Sequence, residues 1–325
     1  MTMTQSKLEK KMGMATRDAY GKALAELGAR NPKIIVIDGD LSKSTKTAFF
    51  GEKFPERFFN FGIGEANMIG AASGLAANGF IPVCSSFACF ITCKGYDQMR
   101  MAAAYSEANV KIIASHGGIS VGEDGVSQQS IEDFALGISL PKFIVLNPAD
   151  EFAAKALVFQ SVGEHVGPIY MRTGRPAAPV IYDANQKFEM GKGIKLRDGK
   201  DVTIIATGLL VWEALAAHEE LKEKGISAAV VDIHTLKPLD QDLIIQQAKA
   251  TGAVVTAEEH SIYGGLGSVV AETLTKNFPV PQEYVAVKDT YAESGKPAEL
   301  LVKYGLTSKE IVKAAETAVK RKFKA

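Results

Sequence analysis

The chain has 325 residues, more than one ordinary core holds and about right for two α/β domains. Hydrophobic residues make up 46% and charged residues 23%, the proportions of a globular protein rather than a disordered or membrane-embedded one. Lys plus Arg number 37 and Asp plus Glu 37, so the charge balance gives no support to a general nucleic-acid or membrane-surface role, and any anion site must be local.

The opening stretch "MTMTQSKLEKKMGMATRDAYG" lacks the apolar segment of a signal peptide, and no apolar run approaches the ~20 residues of a membrane span. A cytoplasmic protein that engages neither membrane nor nucleic acid is expected. After a polar tail to about Lys11, "MATRDAYGKALAELGAR" predicts a helix and "KIIVIDGD" a strand. "ERFFNFGI" predicts a short strand, "EANMIGAASGLAANG" a helix of small residues, and "FIPVCSSF" another strand. "KGYDQMRMAAAYSE" follows as a helix, then "VKIIASH" as a strand, a glycine-rich loop and a helix from Ile131. "FIVLNPAD", a helix from Glu151 and "GPIYMR" close the first set. Cys84, Cys89 and Cys93 crowd into "CSSFACFITC". With no fourth Cys or His at ligand spacing, reduced and partly buried thiols account for them better than a zinc site.

Apolar strands alternating with helices imply a parallel sheet covered on both faces. The first domain is placed at residues 12–178. The stretch 179–200 loses periodicity and gains Pro, Gly and polar residues, as a linker does. Alternation restarts at "DVTIIATG" and continues through "SAAVVDIHT", "AVVTAEEH" and "YVAVKD" to two closing helices, giving a second, smaller domain over 201–325. The fold class is therefore α/β, two doubly wound domains.

Open parallel sheets bind ligands beyond the carboxyl ends of their strands. The segments that follow the first domain's strands supply Ser44, Glu65, Phe87, Phe90, His116, Glu123, Asp124, Gln128 and Arg172. Such a rim suits a polar, anionic small molecule with an aromatic part. Each residue also has a structural alternative. Glu65 is a favourable charge at a helix N-terminus, Phe87 and Phe90 are candidate core residues, and His116 is a candidate buried histidine. Asp124 is a plausible turn residue and Arg172 a candidate structural ion pair. "YGGLGSVV" hints at a phosphate turn, with close packing the better account. What favours function is that these residues collect on one sheet edge.

The segments "MATRDAYGKAL", "DGDLSKST", "FGIGEANM", "SSFACF", "SHGGISVGEDGVSQQSIEDFA", "MRTGRP", "TLKPLD", "TAEEHSIYGGLGS" and "ESGKPAELLVKYGL" resemble transketolase, in family order and over nearly the whole chain from Met14. The resemblance is to that family's carboxyl-terminal half, a pyrimidine-binding domain followed by a carboxyl-terminal domain. It implies thiamine diphosphate as cofactor. The family's Gly-Asp-Gly motif for the diphosphate and metal is missing from this sequence, where "IDGD" has the wrong order. The resemblance therefore implies a partner: the amino-terminal subunit of a split transketolase, which holds the diphosphate and a Mg or Ca ion, in an α2β2 heterotetramer. No metal ligand is expected in this chain.

By the same resemblance, Glu65 bonds the aminopyrimidine ring of the cofactor and activates it, a task suited to a carboxyl in a poorly solvated, small-residue pocket. Phe90 stacks on that ring with Phe87 beside it, and Asp40 and Leu41 border the cofactor. Arg17, Ser44, His116 and Arg172 fall on sugar-phosphate positions, Asp124 on the position that bonds a donor hydroxyl, and Gln128 on a substrate position that is histidine in many relatives. Glu65, Asp124 and His116 are the expected catalytic residues. Cys93 or Lys94 replaces a Tyr or Arg near the pyrimidine, and Gly64 stands where alanine is usual. The implied activity is transfer of a two-carbon ketol unit from a ketose phosphate, such as xylulose 5-phosphate, to an aldose phosphate, such as ribose 5-phosphate. Two alternatives are the beta-type subunit of a 2-oxo acid dehydrogenase and a non-catalytic, transketolase-like binding or regulatory protein.

Overall fold

The computed structural model describes residues 9–322. Residues 1–8 of the expected polar tail and the last three residues of the expected second domain lie outside the described residues. A short strand, β1 (Met12–Ala15), leads into a helix over Thr16–Arg30, so the helix expected from Met14 begins two residues later. Six strands then alternate with helices: β2 (Ile34–Asp38), β3 (Phe58–Asn60), β4 (Ile81–Ser85), β5 (Lys111–Ala114), β6 (Ile144–Leu146) and β7 (Ile169–Arg172). They pair in parallel in the order β6-β7-β5-β4-β2-β3.

Both faces of this sheet are covered, which is why its central strands read as unbroken apolar runs. Alternation along β2 divides its side chains between the two faces. Ile34 and Val36 pack with Tyr20, Leu24, Leu27 and Leu157, while Ile35 and Ile37 pack with Met68, Ile69, Ala72 and Met99. Each such fully buried aliphatic side chain contributes roughly 1.5–3 kcal/mol.

The next strand, β8 (Ala177–Pro179), pairs antiparallel with β1, a two-stranded ribbon that the helical periodicity around Met14 had concealed. The expected linker over 179–200 contains β9 (Ile194–Arg197), which forms an antiparallel edge of the second sheet. That sheet continues with β10 (Val202–Ala206) and β11 (Ala228–Asp232). The chain then returns to the first domain: β12 (Thr235–Lys237) pairs antiparallel with β6 and completes the first sheet as its seventh strand. Strands β13 (Val254–Ser261) and β14 (Gln282–Val287) finish the second, in the order β14-β13-β10-β11-β9.

The two domains share a core. The cluster that holds Met68, Phe134 and Val145 of the first domain runs on into Ile205, Val231, Leu236, Val254 and Val270 of the second. Asp150 adds a polar staple. Its carboxylate caps the helix Glu151–Val158 by accepting from the Ala153 N–H, and it also accepts from the N–H groups of Ile181 and Tyr182. Among the described residues no helix is long and apolar enough to cross a membrane.

Candidate active site

The carboxyl ends of β2, β4, β5 and β7 lie side by side and fix the candidate residues. Glu65 opens the helix Glu65–Ala77, where a carboxylate meets the positive end of the helix dipole, and it is 2% exposed. Ser86, just past β4, donates its hydroxyl to Glu65 Oε1 at 3.1 Å. This is the one hydrogen bond that the carboxylate accepts among the described residues. A carboxylate has about four acceptor positions, so a buried Glu65 keeps capacity for a further donor.

Beside it stands an aromatic stack. The Phe87 ring lies 3.8 Å from the His116 imidazole and 5.5 Å from the Phe90 ring, within 20° of parallel in both cases. Phe87 and His116 are buried and Phe90 is half-buried, so Phe90 is the member of the stack nearest to solvent. The Lys94 ammonium sits 4.6 Å from the Phe90 ring centre, so one of the two residues singled out as a departure, Cys93 or Lys94, lies directly at this stack.

The polar rim is built on a carboxylate that sequence reasoning passed over. Asp38, at the end of β2, is fully buried and accepts from the Leu41 N–H at 2.6 Å and from the Thr45 and Thr47 hydroxyls at 2.7 Å each. Burial raises its pKa, and those three bonds oppose the rise. They fold residues 39–47 into a loop that carries Asp40 outward, where it accepts from the Asn60 amide, and turns the Ser44 carbonyl toward Arg17. Arg17 donates through one nitrogen to the Ser44 carbonyl at 3.0 Å and contacts His116 Nε2 at 3.3 Å.

Because Arg17 can only donate, His116 Nε2 accepts, and the imidazole proton sits on Nδ1, 2.8 Å from the Ser115 hydroxyl. Burial, then the charges of Arg17, Arg175 and Lys46, push the His116 pKa down to about 3. His116 is thus neutral at ordinary pH.

The loop after β5 carries exposed Asp124 and half-buried Gln128, whose side-chain oxygen accepts from the Ser127 hydroxyl at 2.5 Å. The structure corrects the expected place of Arg172. This side chain lies under the glycine loop, 3% exposed, donating to the Glu259 carbonyl at 2.7 Å and paired with Asp133 at 3.4 Å. A Cβ on Gly117 would come within 2.0 Å of Arg172 Nε, so glycine at 117 is what allows the loop to cross the guanidinium. The arginine at the rim is instead Arg175. It donates to the Val121 carbonyl and to Glu123 at 3.2 Å, lies 3.8 Å from Asp124, and its side chain is 32% exposed. Arg175 stands three residues beyond the end of β7, past Gly174.

The remaining sequence candidates resolve into packing. The "YGGLGSVV" turn receives the protein's own carboxylate, since Glu258 accepts from the Leu266 and Gly267 N–H groups at 2.7 Å each. Burial raises Glu258 to about 7 against those two bonds. Cys84 and Cys89 are buried free thiols and Cys93 is an exposed one. Among the described residues no group of three or more His, Cys, Asp or Glu side chains is placed to hold a metal ion.

Residues 12–180 match the family described as transketolase, pyrimidine binding domain, and residues 191–311 the family described as transketolase, C-terminal domain. The chain is 42% identical to the 6-deoxy-6-sulfo-D-fructose transketolase subunit SqwH of Clostridium sp. (strain MSTE9), over 94% of this chain and 95% of that one. It is 41% identical to human transketolase over 93% of this chain, which spans only 48% of the human protein. A solved structure described as a split gene transketolase, inactive beta4 tetramer, matches with a TM-score of 0.89 at 49% identity, over 95% of this chain and 100% of that one.

Proposed function

The chain belongs to the transketolase family, a family that uses thiamine diphosphate, and on that premise we propose that it is the carboxyl-terminal subunit of a split transketolase. Its reaction is transfer of a two-carbon ketol unit from a ketose phosphate to an aldose phosphate. The observation that carries this reading is Glu65: a buried carboxylate at a helix N-terminus, holding one hydroxyl and able to accept another donor, beside a stacked aromatic pair. A free acceptor position beside an aromatic face fits a protonated ring nitrogen of an aminopyrimidine.

Bound thiamine diphosphate supplies the nucleophilic carbon that two-carbon transfer between carbonyl compounds requires. Glu65 holds a proton against a pyrimidine nitrogen, and Phe90 backed by Phe87 packs the ring face. Asp40 and Leu41 border the same space. Arg17, Arg175 and Ser44 bind the substrate's phosphate, with arginine's fork suited to it. His116 acts as a neutral acceptor that orients Arg17 rather than as a charged ligand. Asp124 bonds a donor hydroxyl and Gln128 the sugar. Arg172, in this reading, positions the glycine loop from below.

An amino-terminal partner subunit supplies the diphosphate and metal half, in a two-fold α2β2 assembly. Support comes from the 48% span of human transketolase and from the relative described as a split gene transketolase. That relative's inactive tetramer favours a subunit that is silent without its partner. A second reading, with a sulfonated ketose as donor, is favoured by the 42% identity to the sulfofructose enzyme subunit. The three free thiols are consistent with a cytoplasmic setting.

The test is a transketolase assay with thiamine diphosphate, magnesium, xylulose 5-phosphate or 6-deoxy-6-sulfofructose, and ribose 5-phosphate. This chain is assayed alone, with its amino-terminal partner, and as Glu65→Ala with the partner. Activity confined to the intact wild-type mixture is expected. Activity retained by Glu65→Ala would overturn the assignment.

A further inference from the structure

Six described non-glycine residues hold positive φ: Asp40, Lys46, Glu107, His116, Lys142 and Asp289. Three of them, Asp40, Lys46 and His116, lie on the two loops that form the polar rim. Left-handed backbone at a residue other than glycine persists only where its surroundings enforce it, and it gathers at ligand sites. Asp40 and His116 already belong to the site. Lys46 has so far entered only through its charge on His116.

Lys46 is the left-handed cap that closes the short helix Ser42–Thr45, and it is tightly packed there. A Cβ on Gly21 would stand 2.5 Å from the Lys46 carbonyl oxygen and 2.6 Å from its Cβ, so the helix Thr16–Arg30 carries glycine where this residue presses on it. The Lys46 side chain, 25% exposed, is brought to Asp18 at 3.2 Å. The same Asp18 carboxylate lies 3.9 Å from Arg17 Nε, a buried nitrogen with no hydrogen-bond partner among the described residues. Two cations from two elements therefore share one carboxylate, and the arginine among them faces Ser44 and His116. A partly exposed ion pair contributes little to stability, so the Lys46–Asp18 pair alone does not account for this arrangement. The charge of Lys46 also reaches the His116 imidazole.

We propose that the Lys46 ammonium, held in waiting by Asp18, is a further anion-binding group of the sugar-phosphate end, and that it makes this site prefer a dianionic terminal phosphate to a monoanionic or uncharged terminus. The proposal rests on the reading of the site given above. A dianion replaces Asp18 as the counter-ion of both Arg17 and Lys46. A sulfonate monoanion matches only one of them, and an unphosphorylated sugar neither.

The experiment uses the complex with the amino-terminal subunit as wild type, Lys46→Met, Lys46→Arg and Asp18→Asn. It measures the ratio of kcat/KM for ribose 5-phosphate over that for ribose as acceptors, with an unphosphorylated ketose donor. Calorimetry on the same proteins, at a pH where inorganic phosphate is the dianion, measures binding of inorganic phosphate and of methanesulfonate, a monoanion. Lys46→Met is expected to lower the acceptor ratio about ten-fold and to abolish the preference for phosphate over methanesulfonate, and Lys46→Arg to restore both. Asp18→Asn, which removes the competing carboxylate, is expected to strengthen phosphate binding. Equal effects of Lys46→Met on both acceptors and both anions, or none on either, would overturn the proposal. Should the wild-type complex transfer no ketol unit, the transketolase reading falls, and the calorimetric comparison still decides the role of Lys46. Should Lys46→Met fail to fold, Lys46→Arg and Asp18→Asn decide it by the sign of their effect on phosphate binding.

Discussion

At the carboxyl edge of the first sheet, β2, β4, β5 and β7 end in loops that hold Asp40, Ser44, Phe90 and Asp124 within reach of solvent. At the matching edge of the second sheet, β10, β11 and β13 run directly into the first domain. Thr207 accepts from the Asn147 amide, the His234 carbonyl accepts from the Asn147 N–H, and Glu259 accepts from the Ser120 N–H. The His260 ring stacks on Phe134 at 5.0 Å. Two sheets of one topological class thus use the same edge differently: one stays open to solvent, and the other is consumed in binding its neighbour. Polar residues at a strand's carboxyl end are therefore not evidence of a site until it is known what covers them.

Four experiments sharpen that contrast, and the largest effect is expected at the open edge. Glu65→Gln, assayed with partner and cofactor, should cost about 10²–10⁴ in kcat while leaving the melting temperature within a degree or two of wild type, by roughly the tolerance of an isosteric change. A large loss of stability would instead make Glu65 a structural carboxylate. Beneath the open edge, where β7 meets the second sheet, Arg172→Ala strands the buried carboxylates of Asp133 and Glu259. It should destabilise the fold by about 3–5 kcal/mol, read by denaturant titration.

Arg175→Ala, only three residues further on, should do the reverse. About a ten-fold rise in KM for a phosphorylated substrate is expected, with stability near that of wild type. If the two arginines behaved alike, the distinction between the arginine buried against the second sheet and the one at the open rim would fail.

The last experiment concerns the buried edge and pH. Burial raises the Asp232 carboxyl to about 7 although the Tyr182 hydroxyl donates to it, and the charge of Asp150 adds to the rise. The folded protein then keeps a proton that the unfolded chain releases near pH ~4. This contribution to stability is complete below the unfolded pKa and is lost as pH rises toward 7. Asp232→Asn cannot titrate, so its stability relative to wild type should climb across that window, by at most about 1.4 kcal/mol per pH unit. Parallel curves for the two proteins would show that Asp232 ionises freely where it sits.

Much of this was legible in the residues. The apolar runs of β2, β5, β7 and β10 could only be strands buried on both faces, and Glu65 stood out as an acid opening a helix of small residues. What escaped was set by distant partners. β12 has three residues, and its partner β6 lies roughly 90 residues earlier in the chain, so nothing local marks it as part of the first sheet. Arg172 and Arg175 share a motif, and only Asp133 and Glu259, brought in from elsewhere in the chain, decide which of the two is buried. Asp38 looked like one more acid in "IDGDLSKST", because its role depends on three donors that meet only once the loop has closed.

The return of β12 to the first sheet also bears on the order in which the protein takes shape on the ribosome. When β6 leaves the exit tunnel, the strand that will cover its edge has yet to be translated, and at ~5–20 residues per second the wait is about five to twenty seconds. Throughout that interval the nascent first domain presents an unpaired strand edge, the feature most prone to capture another chain. A growing polypeptide of this kind is a natural client for a chaperone until Thr235–Lys237 emerges to close the sheet.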